Sequence, residues 1–486
     1  MSAVREHFGS RLGFILAAAG SAVGIGNLVA FPVAATKSGG GAFLLMYALF
    51  VFFICLPVMM AELAMGRRAD KDPVGAYRQL SGGSRGWSIP GWMALATPFM
   101  IAVFYLVVTV WVLGYLIETL RGNLDLLATE AHFGQFINSP VVFLYLVVLM
   151  VAINGILAMG VKDGIERAAK TLMPMLFVML LGLVLFVLTR ENAMLGVKYY
   201  LIPDFGKIDS AVVSKAMAQA FFSLSLGMGI MITYGSYMKK RDSIPGSSRA
   251  VAITDTLVAF TAGLLILPSI FHFDPQIDPS ELSDSSAGMI FLFLPKIFLS
   301  LQDSVGYFGA SAFAAAFFFL VLVAAITSLV SIIEVPIATL RDERGMSRRK
   351  AIYTIAAVQF VLAIGCAVSF GMVNFFTQFV QLAGADKSFF DLVEIIFYDT
   401  ILPLNGLLVC LFVIYKWKKA NFDQELQEGD STFTGSVSQK YINFSLGTFI
   451  PLLLLLIFIN TVALKFLDTV LSSLWRKRKR PRLPTP

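Results

Sequence analysis

Two stretches of this chain set glycines and small hydroxyl residues inside otherwise unbroken apolar runs: Ala19-Gly20-Ser21-Ala22-Val23-Gly24-Ile25-Gly26-Asn27 and Phe222-Ser223-Leu224-Ser225-Leu226-Gly227-Met228-Gly229. Glycine costs a helix about 1 kcal/mol relative to alanine, so each stretch favours a helix that unwinds part-way. An unwound helix exposes N–H groups at one broken end and carbonyls at the other, which suits an anionic group and a cation respectively. On these residues alone, close helix packing through Gly20 and Gly24 is the simpler explanation. Other polar groups stand in apolar runs: the carboxylates Glu62, Asp255 and Glu334, and the hydroxyls of Thr327 and Ser328. An intramembrane charge costs several kcal/mol unless paired. For the two hydroxyls, a bond back to the helix's own backbone is the alternative to ligation. His7, His132 and His272 are scattered, and Cys55, Cys366 and Cys410 lie in apolar runs without a spacing pattern. No metal cluster, nucleophile–base pair or disulfide framework follows from them, so an enzyme is not expected.

The elements that must position these groups are membrane helices. Of 486 residues, 57% are hydrophobic and 14% charged, which excludes a soluble enzyme and a disordered protein. A bilayer core of about 30 Å needs about 20 apolar residues per helix. Eleven such windows occur, over residues 11–35, 41–66, 90–119, 141–160, 166–189, 213–238, 246–270, 305–340, 349–370, 389–416 and 442–466. The first is too long, and too glycine-rich at its centre, for a cleaved signal peptide. Loops on the N-terminal side carry 23 Lys and Arg against 8 on the other, which places the N-terminus in the cytoplasm. Eleven spans then put the C-terminus outside despite its run Arg476-Lys477-Arg478-Lys479-Arg480, a conflict with the same rule. Without the last eleven residues the net charge of +7 falls to +1, so it reflects orientation plus a lipid-binding tail and not a nucleic-acid partner. Before span 8, Asp274, Asp278, Glu281 and Asp284 precede the apolar residues 289–301, which form either a hairpin dipping toward the outer mouth or an interfacial helix.

The two glycine-broken segments are the first and sixth spans. Interrupted helices at corresponding places in two halves point to a secondary transporter built from inverted repeats, spans 1–5 and 6–10. The expected organisation is an N-tail with inner gate over 1–10, repeats over 11–189 and 213–416, an outer loop over 190–212, an inner loop over 417–441, span 11 over 442–466 and a basic tail over 467–486.

Arg5-Glu6-His7, Arg11-Leu12-Gly13, residues 20–27, Phe31-Pro32, Gly39-Gly40-Gly41-Ala42-Phe43 and residues 222–229 resemble the neurotransmitter:sodium symporter family over about residues 5–415. The resemblance implies an all-α polytopic membrane protein of LeuT fold, a 5+5 inverted repeat with unwound spans 1 and 6 plus an eleventh helix, as in eleven-span bacterial members. It implies two sodium sites. The first uses the Ala22 carbonyl with Asn27, Ser223, Asp255 and the substrate carboxylate; the second uses carbonyls of Gly20, Val23 and Ala324 with the hydroxyls of Thr327 and Ser328. It implies a pocket of Ala22, Gly24, Ile25, Gly26, Ile101, Tyr105, Phe222, Ser223, Ser225, Met228, Ser328 and Ile332, with Tyr105 bonding the carboxylate and, with Phe222, roofing the site. Monoamine carriers of the family place an acid where this chain has Gly24, so a substrate with its own carboxylate is expected. The implied activity is sodium-coupled import of a neutral, hydrophobic amino acid by alternating access in the bacterial inner membrane. Another small zwitterion (taurine, betaine or a GABA-like compound) is the alternative substrate, and a non-transporting sensor the alternative role. A monomer is functionally sufficient, although a homodimer is allowed.

Departures from the family pattern carry their own expectations. Many members have an amide at Asp255 and use chloride or a carboxylate one turn on, where this chain has Ala259; Asp255 is therefore expected to make chloride unnecessary, or else to carry a proton on the return step. The inner gate is expected to pair Arg5 with Asp342 near Ser236 and Tyr237, unless Arg5 is only a positive-inside anchor. At the outer gate the usual arginine is replaced by Ala30, facing the acid Glu394 or, in another alignment, Asp391. Glu62 and Glu334 are expected to hold broken-helix backbone groups and not ions.

Overall fold

A computed structural model describes residues 6–277, 288–382 and 385–466. Among these, nine helices are long and apolar enough to cross a membrane, and a tenth span is the pair Arg11–Ala22 and Gly26–Lys37, bent by 56°. The expected sixth span is split into Ser210–Ser223 and Ile230–Gly235, each too short to cross alone. The others are Gly41–Ala69, Ser88–Leu120, Val141–Ala158, Val161–Leu188, Ile244–Phe273, Gln302–Arg344, Arg348–Phe370, Phe389–Lys416 and Val437–Ala463. These match the eleven windows with shifts of a few residues at the ends.

Spans 3 and 8 form the centre: 78% and 83% of their apolar windows are buried, against 33% for span 5, which leaves span 5 a lipid-facing side. Span 1 packs on spans 5, 7 and 8, and the first half of span 6 packs on span 2. The breaks of spans 1 and 6 meet, with Ser21 Oγ 3.3 Å from Ser225 Oγ and the Ser225 hydroxyl donating to the Ser21 carbonyl at 3.0 Å.

Span 6 breaks because three of its residues turn left-handed: Ser225 (φ 54°), Gly227 (φ 74°) and Gly229 (φ 66°). A side chain at Gly227 would also come within 2.5 Å of the Leu402 carbonyl, so both conformation and space require glycine there. The loops carry structure of their own. Ala193–Leu201 is a helix inside the 190–212 connection, Lys419–Gln427 another inside 417–441, and the strands Val380–Leu382 and Ala385–Lys387 form an antiparallel hairpin before span 10. Met289–Ser300 is helical and packed: Tyr115 donates to the Phe291 carbonyl at 3.0 Å and Phe133 stacks on Phe291 at 5.0 Å. This contact with span 3 favours the inward-dipping reading; Asp278, Glu281 and Asp284 lie outside the described residues.

Span 11 runs toward the side where span 10 begins, with Lys465 near its end paired to Asp399 in the first half of span 10 at 2.8 Å. Its far end joins the opposite face, where Arg249 reaches Ser438 at 3.1 Å. An odd number of crossings is therefore built into the packing; the run 476–480 lies outside the described residues.

Candidate functional site

Four oxygen-bearing side chains converge where span 1 resumes after its break. Asp255 of span 7 accepts from Asn27 Nδ2 (2.7 Å), from the Tyr47 hydroxyl of span 2 (2.8 Å) and from the Ser223 hydroxyl (2.9 Å to each oxygen). All four side chains are buried, Asp255 and Asn27 completely. Three neutral donors thus meet a fully buried carboxylate that has no ion pair among the described residues. Asn27 also accepts the Gly24 N–H through Oδ1 at 3.2 Å, which fixes the turn of the break. The set is rich in hard oxygen donors and holds one formal charge, the chemistry a monovalent hard cation needs.

A second cluster lies on the other side of the break. Ser328 of span 8 donates among three carbonyls of span 1, those of Gly20, Ser21 and Val23, at 3.5, 3.2 and 3.3 Å. One hydroxyl cannot satisfy three acceptors at once, so carbonyl oxygen is in excess here. Thr327 Oγ1 stands 2.9 Å from the Ala324 carbonyl, the back-bond to its own helix that the residue type allows. Gly20, Val23, Ala324, Thr327 and Ser328 are thus brought together as oxygens.

Between the clusters, the Ile25 N–H donates to the Tyr105 hydroxyl at 3.0 Å, leaving the phenol its own proton to donate. A side chain on Gly24 would meet both Tyr105 Oη and Ser328 Oγ at 2.7 Å. Above lies a cavity of about 630 Å³ whose floor includes Ile25, Gly26, Tyr105 and Phe222. Phe222 is held edge-on by Tyr398 of span 10 at 4.5 Å between centroids, and Gln219 donates to the Gly26 carbonyl at 3.0 Å. Ala22, Ile101, Ser225, Met228 and Ile332 are buried and do not line this cavity.

Ala30, Glu394, Asp391 and Lys37 all line the cavity wall. Asp391 caps its own helix by accepting from the Ser388 N–H at 3.0 Å, whereas Glu394 has no ion pair among the described residues. Glu394 is thus the acid free to meet an arginine from span 1. Ala30→Arg is expected to slow labelling of an Ala34→Cys reporter in this cavity by roughly fivefold, as a half-exposed pair of about 1 kcal/mol would; labelling and transport at the parent rates would remove Glu394 from the gate.

On the opposite face Phe8 docks under span 6: its N–H donates to the Tyr237 carbonyl at 3.1 Å and its ring packs on Tyr234 and Tyr237. Asp342 accepts from the Asp72 N–H at 2.9 Å, and Ser236 donates to the Thr233 carbonyl; Arg5 lies outside the described residues. Glu6 pairs with Arg341 at 2.8 Å. Against the cost of its burial, the Val161 N–H with Arg348 and Arg341 holds the Glu6 carboxyl below its usual range. Burial, with Asp342 and Glu343 beside it, pushes Asp72 up to about 6. Glu62 behaves as expected, accepting the Gly227 N–H of the broken span 6 at 2.7 Å. Glu334 does not: it pairs with Arg348 at 2.7 Å and accepts from the Tyr237 hydroxyl at 2.7 Å. Arg348 follows the turn after span 8 and returns onto it, so the acid has a cation at hand and no need of a backbone donor.

Tyr47, Gln219, Tyr398 and Asn405 were not legible as site residues. Asn405 donates to the Gly227 carbonyl at 2.7 Å and to Thr97 at 2.9 Å, holding the span 6 break from the span 10 side. Tyr47 had one visible signal, a lone phenol in the run Phe43-Leu44-Leu45-Met46-Tyr47-Ala48-Leu49-Phe50.

Two helices broken at mid-membrane around converging oxygens define a secondary transporter. The model of the sodium:neurotransmitter symporter family matches residues 5–135 and 132–473, and the chain belongs to that family. It is 34% identical over 466 residues to an uncharacterised sodium-dependent transporter, YhdH, of Bacillus subtilis, covering 94% of this chain and 97% of that one. It is 32% identical over 476 residues to an uncharacterised sodium-dependent transporter of Haemophilus influenzae, covering 94% and 98%. The crystal structure of MhsT in complex with L-phenylalanine superposes with a TM-score of 0.81 at 37% identity, covering 94% of this chain and all of that one. The fold is the LeuT fold, and the chain is a multi-pass, sodium-dependent transporter of this family.

Proposed function

We propose that the protein imports a neutral, hydrophobic amino acid together with sodium by alternating access, across a bacterial inner membrane with its N-terminus in the cytoplasm. The observation that carries this reading is the pairing of two oxygen clusters across one helix break. Sodium would be held at the first by Asn27, Ser223, Asp255 and the Ala22 carbonyl, and at the second by the carbonyls of Gly20, Val23 and Ala324 with Thr327 and Ser328. The substrate carboxylate belongs between them, where Tyr105 has a proton to donate and Gly24 leaves space. No acid stands at Gly24 to take the amine of a substrate lacking its own carboxylate. Ile101, Met228 and Ile332 supply apolar bulk, and the phenylalanine complex of the relative MhsT supports an apolar side chain. The inner closure includes Asp342, Ser236 and Tyr237, with Arg5 as the proposed partner of Asp342; the outer closure includes Tyr105 and Phe222. The test is binding and uptake by the purified protein across the twenty amino acids plus taurine, betaine and GABA, with and without sodium. No sodium-dependent signal from any of them would reject the proposal.

Asp255 already supplies one negative charge beside the first cluster, so a mobile anion has no charge left to balance. Replacing chloride by gluconate is expected to leave sodium-driven uptake unaltered. Strict dependence on chloride would show that Asp255 is neutral when sodium binds.

A further inference from the structure

Between spans 4 and 9 the outer surface of the helix bundle is cut by a groove of about 620 Å³, walled by Met150, Val151, Gly155, Ile352, Ala356 and Phe360. It belongs to neither oxygen cluster nor to the large cavity above them. One end is set by Ala158, the last residue of span 4, and Arg349, the second residue of span 9; the other by Val147 and Phe360. Each wall runs about 16 Å at 1.5 Å per residue, which is close to half of a bilayer core about 30 Å thick. The groove therefore extends from the Lys- and Arg-rich face to the middle of the membrane, the depth of a single leaflet.

The groove's chemistry changes along its length as a phospholipid's does. Its deep part is aliphatic and aromatic. At its mouth Arg349 is exposed, as is Lys350 beside it, and neither has an ion pair among the described residues, while Arg348 is engaged with Glu334 and the Leu157 carbonyl. One turn inside the mouth, the Asn154 amide oxygen is buried without a hydrogen-bond partner, the kind of group that calls for a polar neighbour. A second copy of the chain is a poorer occupant: across a two-fold interface centred here, the cations at the mouth would face their own copies.

We propose that this groove binds one phospholipid of the cytoplasmic leaflet, an acyl chain lying along spans 4 and 9 and an anionic headgroup held by Arg349. Of the functional reading above, only the membrane orientation is used.

Gly155 allows a clean test, because a Cβ added there meets nothing within 4 Å and leucine is the better helix former. Gly155→Leu puts apolar bulk into the groove where its two walls hold a chain. Purified protein is titrated with dioleoyl phosphatidylglycerol and dioleoyl phosphatidylcholine and bound lipid is counted by native mass spectrometry. The parent is expected to retain one phosphatidylglycerol about fivefold more strongly than phosphatidylcholine, as one cation at a lipid surface gives. Arg349→Ala should abolish that preference while chain binding persists, and Gly155→Leu should lose both lipids, with unchanged sodium-dependent thermal stabilisation in each variant showing an intact fold. Equal retention of the two lipids by the parent, or parent-like retention by Gly155→Leu, would overturn the proposal. So would a dimer that Gly155→Leu dissociates, since the groove would then belong to the second copy. Because lipid is counted directly, Arg349→Ala keeps the test decisive even if Gly155→Leu folds poorly.

Discussion

Asp255→Asn is expected to raise the sodium concentration for half-maximal substrate binding by at least tenfold, with little change in fold. The amide has the shape of the carboxylate and still accepts from Tyr47 and Ser223 through its oxygen, while its NH2 replaces the oxygen that accepts from Asn27, whose amide must turn away. What it removes is the formal charge of the first oxygen cluster. A unit charge about 4 Å from a cation is worth about 4 kcal/mol at an effective dielectric constant of about 20. Relaxation and water take back part of that, and the tenfold figure asks for only about 1.4 kcal/mol of it. Asp255→Ala should cost more, since it also removes the acceptor shared by Asn27, Tyr47 and Ser223 in a fully buried site; Asn27 and Tyr47 keep the Ser223 oxygen, the Ser223 hydroxyl loses its acceptor, and an unmet buried donor costs about 1–3 kcal/mol. The measurement is equilibrium binding of radiolabelled substrate against sodium at fixed ionic strength. An unchanged half-saturation in Asp255→Asn would remove the carboxylate from ion binding. The same titration separates the proton alternative. If Asp255 carries a proton on the return step, sodium affinity in the parent falls as pH is lowered and Asp255→Asn flattens that dependence; a parent curve already flat leaves the charge with sodium alone.

Which parts of this site could be read from the chain follows from where the determining physics is local. A span is legible because crossing a bilayer demands apolar length in one segment, and nine of the expected windows are continuous helices here while the first and sixth are broken ones. The breaks are legible because glycine changes backbone cost at its own position: the span 6 break falls at Ser225, Gly227 and Gly229, and that of span 1 between Ala22 and Gly26. Asp255 is legible because a carboxylate at membrane depth has few inexpensive explanations. Tyr47 and Gln219 are different. A phenol or amide in an apolar helix finds the site only if the helix is rotated to face it, and that rotation is fixed by packing against spans distant in sequence. Tyr47 reaches Asp255 from span 2 and Gln219 reaches Gly26 from span 6, and nothing within either segment encodes the meeting. Glu334 fails for a related reason, since its cation arrives only after the chain has turned back on itself at Ser347.

On the proposed function, Gly24 is expected to decide which substrates the site accepts, and two substitutions divide its role into space and charge. Gly24→Ala places a methyl group 2.7 Å from Tyr105 Oη and Ser328 Oγ. The serine hydroxyl can rotate away, but the phenol sits at the end of a stiff ring anchored to the Ile25 N–H, so the added carbon intrudes on the carboxylate's place. Steric terms of one methyl group in a pocket run about 1–3 kcal/mol, and phenylalanine binding is expected to weaken at least tenfold. Gly24→Asp adds the same carbon plus a negative charge, which the hydroxyls of Tyr105 and Ser328 are placed to hold. A substrate carboxylate about 5 Å away would then be repelled by about 3 kcal/mol at an effective dielectric constant of about 20, a loss of more than a hundredfold beyond that of Gly24→Ala. Phenethylamine, the same side chain and amine without the carboxylate, escapes the repulsion and gains a counter-charge. The expected result is a reversal: the parent binds phenylalanine over phenethylamine and Gly24→Asp binds phenethylamine over phenylalanine, both read by competition at saturating sodium. If Gly24→Asp keeps the parent's order of preference, the carboxylate does not sit at the break of span 1, and the anionic end of the substrate must be sought at another helix end.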